Sequence, residues 1–98
     1  MHGGWFVGDF SPAVIRTGEF EVAVKHYPAG AREPGHHHKV AEEVTVVVTG
    51  RVRMCGGIME AGTVVHLEPG ESTGFEALEE TLTVVVKRPS VRDDKYLD

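Results

Sequence analysis

Residues 30–50 read GAREPGHHHKVAEEVTVVVTG: three consecutive histidines, two glutamates, then a β-branched run that stops at glycine. Branching at Cβ restricts side-chain rotamers and favours extended backbone, so residues 44–49 are expected to form a strand. On extended backbone, residues i and i+2 point to the same face. His36 and His38 therefore share one face, and His37 takes the other. Two imidazoles on one face, joined by a carboxylate from the start of the next strand, make a donor set for a divalent metal.

Outward from this stretch the chain is a series of short strands. Residues 19–27 alternate with period two: Phe20, Val22 and Val24 on one face, Glu21, Ala23, Lys25 and Tyr27 on the other. Pro28 and Gly30 end that strand. Residues 5–9 open the chain as a strand, Ser11-Pro12 breaks it, and residues 13–16 form a second short extended piece. Beyond Gly50, residues 51–55 make a strand that places Cys55 as a packed strand residue, and Gly56-Gly57 signals a hairpin. Residues 63–67 and 81–87 follow as strands. Phe75, Leu78 and Leu82 sit at helical spacing, but the segment is too short for an independent helix and is read as strand, loop, strand. The tail SVRDDKYLD is mostly polar. Turn signals recur every few residues, which is the pattern of an all-β sandwich or barrel.

Composition narrows the function classes. At 98 residues the chain makes a single domain of modest core, the kind of small barrel that gains stability by pairing with a second copy. A net charge of −5 argues against nucleic-acid and anionic-membrane partners. Neither a signal peptide nor an apolar run of ~20 residues is present, so no membrane span is expected. The one cysteine cannot form an intramolecular disulfide, which fits the cytoplasm. No Gly-rich phosphate loop, Ser/His/Asp set or CxxC occurs.

The spacing resembles the first motif of the cupins: Gly30, five residues, His36-His37-His38, four residues, Glu43, six residues, Gly50. Glu42 would satisfy the gap from the histidines but not the spacing to Gly50, so Glu43 is the expected carboxylate. A second cupin motif is degenerate. From Gly62 it reaches Glu68-Pro69-Gly70, but Thr73 stands where the resemblance would place a histidine, and Ala77 where it would place an asparagine. The resemblance covers roughly residues 20–87, with an N-terminal strand and a C-terminal tail appended. It implies a jelly-roll-like double-stranded β-barrel, with His36, His38 and Glu43 holding one divalent metal (Zn, Fe, Mn or Ni).

The remaining singled-out residues carry alternatives. Lys25 and Tyr27 either border a ligand pocket, with Thr73, or form a solvated face. His26 is expected in the core or at an interface, His66 is expected to point outward or to lie at an interface, and Trp5 and Phe6 are expected to pack or to swap in a dimer rather than to form a stacking platform. Three functions stay open. One is a metal-binding cupin acting on or binding a small organic acid or sugar-like ligand. Another is a metal-free small-molecule or carbohydrate-binding module, and the last is a structural domain. The two-faced apolar run Val44–Val48 and the aromatic N-terminus point to a homodimer.

Overall fold

The computed structural model describes residues 2–91 and 95–97. In chain order the strands are β1 (Trp5–Gly8), β2 (Ile15–Arg16), β3 (Glu21–Tyr27), β4 (Arg32–His38), β5 (Glu42–Thr49), β6 (Arg51–Met54), β7 (Gly57–Glu60), β8 (Val64–Leu67), β9 (Ser72–Ala77), β10 (Thr81–Arg88) and β11 (Lys95–Leu97). One 3-10 turn, His2–Gly4, precedes them, and no α-helix occurs among the described residues. The strands form two sheets. One runs β2-β1-β3-β10-β5-β8, the other β11-β4-β9-β6-β7. All pairings are antiparallel except β1 with β2. This is the all-β double-sheet barrel that the resemblance implies. No helix in the described residues is long and apolar enough to cross a membrane.

Register lines up the inward side chains of the larger sheet in rows. Glu21, Lys87 and Glu43 make one row, Ala23, Val85, Thr45 and Val65 the next, and Lys25, Thr83 and Val47 the third. The apolar core lies at one side of the barrel, where Val47, Val52, Met54, Val65, Leu67, Phe75 and Ala77 pack together from both sheets. Burying each of the larger side chains here, Val, Leu, Met or Phe, contributes roughly 1.5–3 kcal/mol relative to exposure. At the other side the inward rows turn polar and border a cavity. Strand β3 therefore presents Glu21, Ala23, Lys25 and Tyr27 to the interior and the apolar Val22 and Val24 to the outside. His26, expected in the core or at an interface, is exposed on that outer face.

Two local expectations give way to the geometry. Cys55 is not a packed strand residue. It is exposed, at φ 53°, and with Gly56 at φ 74° it forms the tight turn between β6 and β7. Paired positive φ angles match the right-handed strand twist in a two-residue hairpin, and this moves Cys55 out of the strand. The tail is not merely appended. Its β11 segment pairs with β4, setting Leu97, Tyr96 and Lys95 opposite His36, His37 and His38. Strand β9 occupies the other edge of β4, so the histidine strand is hydrogen-bonded on both sides. The Phe75–Leu82 region is strand, bend, strand, as expected.

Gly50, which joins β5 to β6, sits at φ 89°. A Cβ there would lie 2.3 Å from Thr81 Oγ1 and 2.4 Å from the Glu80 carbonyl oxygen. Gly62 has a similar φ of 93°, but a Cβ there would meet nothing within 4 Å. Gly62→Ala should cost only the left-handed penalty, about 1–2 kcal/mol. Gly50→Ala adds a backbone clash and should exceed ~3 kcal/mol. Denaturant midpoints of the two variants check this, and equal losses would contradict it.

Candidate functional site

Strand β4 carries an irregularity that shapes the site. Glu33 faces Phe75 on β9 and His36 faces Thr73, so three residues on β4 span two on β9. The extra residue falls at Pro34-Gly35, a bulge suited to a proline that cannot donate to the ladder. Its effect is to turn both Glu33 and His36 inward, although their spacing is odd. His38 follows inward with ordinary alternation and is buried. The Gly70 N–H donates to the His38 carbonyl at 2.6 Å, which ties the Glu68-Pro69-Gly70 turn to the end of the histidine strand.

His36, His38 and Glu43 line one cavity of about 350 Å³, together with Lys25, Tyr27 and Thr73. His36 Nδ1 donates to the Pro34 carbonyl at 3.1 Å, since a carbonyl can only accept. Its Nε2 is then the lone-pair nitrogen. The His36 and His38 rings meet edge to face at 5.6 Å. His38 Nε2 lies 3.8 Å from Glu43 Oε1, and the Glu43 side chain is only 12% exposed. Thr45 donates a hydrogen bond to Glu43 Oε2 at 3.4 Å. Lys87 is opposite Glu43 in register, yet its ammonium pairs with Glu21 at 3.1 Å instead. Among the described residues, His38 is thus the only potentially cationic side chain paired with the Glu43 carboxylate.

The donor chemistry, two imidazoles and a carboxylate, fits a divalent metal. As the side chains stand, however, no three His, Cys, Asp or Glu groups among the described residues converge closely enough to hold an ion. Thr73, the remaining candidate donor, already has backbone partners. Its hydroxyl accepts from the Cys55 N–H at 2.9 Å and donates to the Gly74 carbonyl at 2.8 Å. It borders the cavity with its hydroxyl engaged by the backbone.

Opposite the histidines, Tyr27 donates to Glu33 Oε1 at 2.9 Å and its ring tilts against Phe75 at 4.4 Å. Burial pushes the Tyr27 pKa well up, and the Glu33 and Glu43 carboxylates raise it further, so it stays a neutral donor. Lys25 pairs with the same Glu33 at 4.0 Å. Both ammoniums lie over the Trp5 ring, Lys25 at 5.2 Å and Lys87 at 5.1 Å from its centroid. Trp5, expected to pack or to swap in a dimer, lines the cavity, beside the small, fully buried Ala23 that it faces in register. Trp5, Phe10, Glu21, Glu33, Thr83 and Lys87 all escape the sequence reading. Period two on β10 offers a signal for Thr83 and Lys87, because both share parity with Val85. Nothing local marks Trp5 or Glu33.

His37, His66 and Glu42 lie outside the cavity. His37 stacks on Tyr96 at 5.6 Å. His66 is exposed and bonds Glu42 Oε2 at 3.0 Å, and Arg88 binds the other oxygen of Glu42. Glu43 and not Glu42 borders the cavity.

No protein-family model matches the chain, and no curated protein does. Solved structures do. A conserved protein with a double-stranded β-helix domain from Klebsiella pneumoniae is 23% identical, with 86% of this chain and 74% of that chain covered and a TM-score of 0.76. An RmlC-like cupin from Shewanella frigidimarina is 22% identical, over 80% of this chain and 72% of that one, with a TM-score of 0.69. The DMSP lyase DddQ from Ruegeria pomeroyi is 20% identical, over 93% of this chain and 48% of that one, with a TM-score of 0.75. The fold is the double-stranded β-helix of the cupins.

The Glu42 cluster yields a pH prediction. The His66 hydrogen bond first, then the Arg88 hydrogen bond and charge, hold the Glu42 carboxyl below the usual carboxylate range. A depressed native pKa stabilises the fold above the unfolded value, about 4.3, and the gain is lost as pH falls through and below it. Glu42→Gln should therefore lower the Tm at pH 7, and the gap from the parent should be smaller at pH 3 than at pH 7. Melting curves across that range check it, and a gap unchanged at pH 3 would contradict it.

Proposed function

We propose that this cupin-fold chain holds one divalent metal ion inside the barrel through His36, His38 and Glu43, and binds a small oxygen-bearing molecule, an organic acid or sugar-like ligand, beside it. The observation that carries this reading is the Glu43 carboxylate, largely but not fully withdrawn from solvent. It lies 3.8 Å from His38 Nε2, borders the same cavity as His36, and lacks a lysine or arginine partner among the described residues, because Lys87 is drawn to Glu21. A buried carboxylate left in that state is costly, and a bound cation relieves the cost.

An ion there, Zn, Fe, Mn or Ni, would act as a Lewis acid toward ligand oxygens. The chain's own groups do the rest. His36 offers Nε2 because Pro34 fixes its tautomer, an orienting contact of the kind that supports metal-bound imidazoles. Tyr27 stays protonated as a donor, and Phe75, Met54 and Trp5 exclude water from the cavity walls. One of the structurally similar proteins is a DMSP lyase, which fits a small-molecule role for such a cavity. The exposed free thiol of Cys55 fits a reducing, cytoplasmic setting.

One observation favours a second reading, a metal-free small-molecule or carbohydrate-binding module: the three donors do not converge as they stand, and Thr73 replaces a fourth. Metal content decides between the two. Untagged protein loaded with Zn, Mn, Fe or Ni and passed through gel filtration should retain about one ion per chain. His36→Ala or His38→Ala should lose most of it, and His37→Ala and His66→Ala almost none. No retained metal, or equal loss from His37→Ala and His36→Ala, would reject the metal reading. Turnover of metal-loaded protein against acids and sugars then separates enzyme from binder.

The outer face of the larger sheet supports the homodimer as part of this reading. Val24, Val84, Val46 and Val64 align across four strands, with Val22, Val86 and Val44 in the next row. Val24 is 43% exposed and Val64 63%. A contiguous valine surface of this kind is suited to sheet-on-sheet packing with a second copy. The protein should sediment as a dimer at micromolar concentration, and Val84→Lys should shift it to monomer while the circular dichroism stays that of a β-protein. A monomeric parent would contradict the assignment.

A further inference from the structure

Two residues that line the cavity lie outside both sheets. Phe10 is in the connection between β1 and β2, and Val91 follows β10. The stretch that carries Phe10, residues 9–18, is lightly held. Residues 10–13 make no hydrogen bond among the described residues, and Pro12 has no N–H to give. The two-residue β2 is an edge strand that pairs with β1 alone. At its ends the Val14 N–H donates to the Phe6 carbonyl at 2.7 Å and the Thr17 N–H to the Gly8 carbonyl at 3.1 Å. The side chains of this edge pack little, since Val14 is 67% exposed and Ile15 56%. The Arg16–Asp9 ion pair is exposed as well, a kind of pair that stabilises weakly. Few buried apolar contacts and exposed backbone hydrogen bonds are the marks of a segment that opens without the rest of the fold.

Both ends of the stretch are gripped by one residue. Ser90 Oγ accepts from the Asp9 N–H at 2.9 Å, and the Ser90 N–H donates to the Gly18 carbonyl at 3.0 Å. The same hydroxyl donates to Glu21 Oε2 at 3.2 Å, and Glu21 Oε1 pairs with Lys87 at 3.1 Å. Ser90 therefore fastens residues 9–18 at the end of the barrel where Glu21, Lys87 and Glu43 form one inward row. Phe10 is the residue of this stretch that reaches the cavity. Its ring lies against Gly8, where a Cβ would strike it, so the missing side chain at Gly8 gives the ring its seat.

The walls made by β3, β5 and β10 are continuous ladders, and they part only when the sheet does. Residues 9–18 make the one border of the cavity that a few hydrogen bonds hold. We propose that this stretch is a strap across the cavity mouth, that Ser90 is its clasp, and that the cavity exchanges its contents when the strap leaves Ser90 and carries the Phe10 ring out. Segments that close over binding sites are drawn from the least stable parts of a fold, as this one is. The clasp works in the same way whichever molecule or ion the cavity takes, so the assignment is independent of the metal reading above.

Native-state hydrogen exchange reads the opening. The Val14 and Thr17 amides bond to β1 and not to Ser90, so they report the strap and not the loss of their own partner. In the parent they should exchange at least ~10-fold faster than the amides of β5 and β10, and with less acceleration by denaturant, as local opening requires. Ser90→Ala should speed both about fivefold further, the scale of one lost hydrogen bond, with a smaller change on β5 and β10. Entry is read separately in protein carrying Cys55→Ser and Val85→Cys, which sets a single thiol on the cavity wall at a position that is 6% exposed. Labelling of that thiol by a bulky aromatic disulfide should quicken severalfold when Phe10→Ala or Ser90→Ala is added. The proposal is overturned if the Val14 and Thr17 amides exchange only with global unfolding, if Ser90→Ala speeds all amides alike, or if labelling ignores both substitutions. Should the thiol variant not fold, the exchange measurement on the parent and on Ser90→Ala decides by the first two outcomes.

Discussion

A largely buried carboxylate that borders one cavity with two imidazoles, with no ammonium or guanidinium paired to it among the described residues, is the constraint that the interior of this barrel accommodates. Placing Glu43 there requires the strand that follows the histidines to begin with the right parity, one residue after Glu42, which lies outside with His66 and Arg88. It requires the histidine strand to be held in place, which β9 and β11 do from its two edges. It also requires Lys87, the residue opposite Glu43 in register, to be held elsewhere. Glu21, anchored by Ser90, does that at 3.1 Å. Each of these is an ordinary sheet interaction; together they leave a negative site facing donor nitrogens in a low-dielectric pocket, where electrostatic effects are largest.

Strand β3 shows what such a pocket costs the fold. A strand with one apolar and one polar face normally turns the apolar face inward. Here Val22 and Val24 face out and Glu21, Lys25 and Tyr27 face in. The inversion is stable because each inward polar group has a partner: Lys87 for Glu21, Glu33 for Lys25 and for the Tyr27 hydroxyl. Buried polar groups of this kind cost little once paired. The apolar core is correspondingly confined to the β5–β6–β8–β9 side, and the displaced valines form an outer surface in want of cover.

Much of this is legible in residues 30–50. Period two separates His37 from His36 and His38, and the six-residue spacing to Gly50 separates Glu43 from Glu42. The all-β class follows from the turn signals alone. What is not legible has definite physical causes. Alternation identifies the two faces of β3 but not which one faces inward, since that depends on whether core or cavity lies beneath. Glu33 is hidden because the Pro34-Gly35 bulge changes the parity between it and His36. Trp5 reaches the cavity through a pairing of β1 with β3, a contact that no local pattern encodes. Cys55 reads as strand until the turn takes two residues with positive φ. The role of Thr73 is visible only once the β6–β7 hairpin brings the Cys55 amide to its hydroxyl.

The central claim, that the buried carboxylate and the two same-face imidazoles form a cation site, is tested most directly by anomalous scattering from a crystal of Zn-loaded protein measured at the zinc edge. The account predicts one strong peak per chain inside the barrel, at about 2.0–2.2 Å from one ring nitrogen each of His36 and His38 and from a Glu43 oxygen. A barrel with no anomalous peak, or a peak held instead by His37 or by His66 with Glu42 on the outer surface, would contradict it.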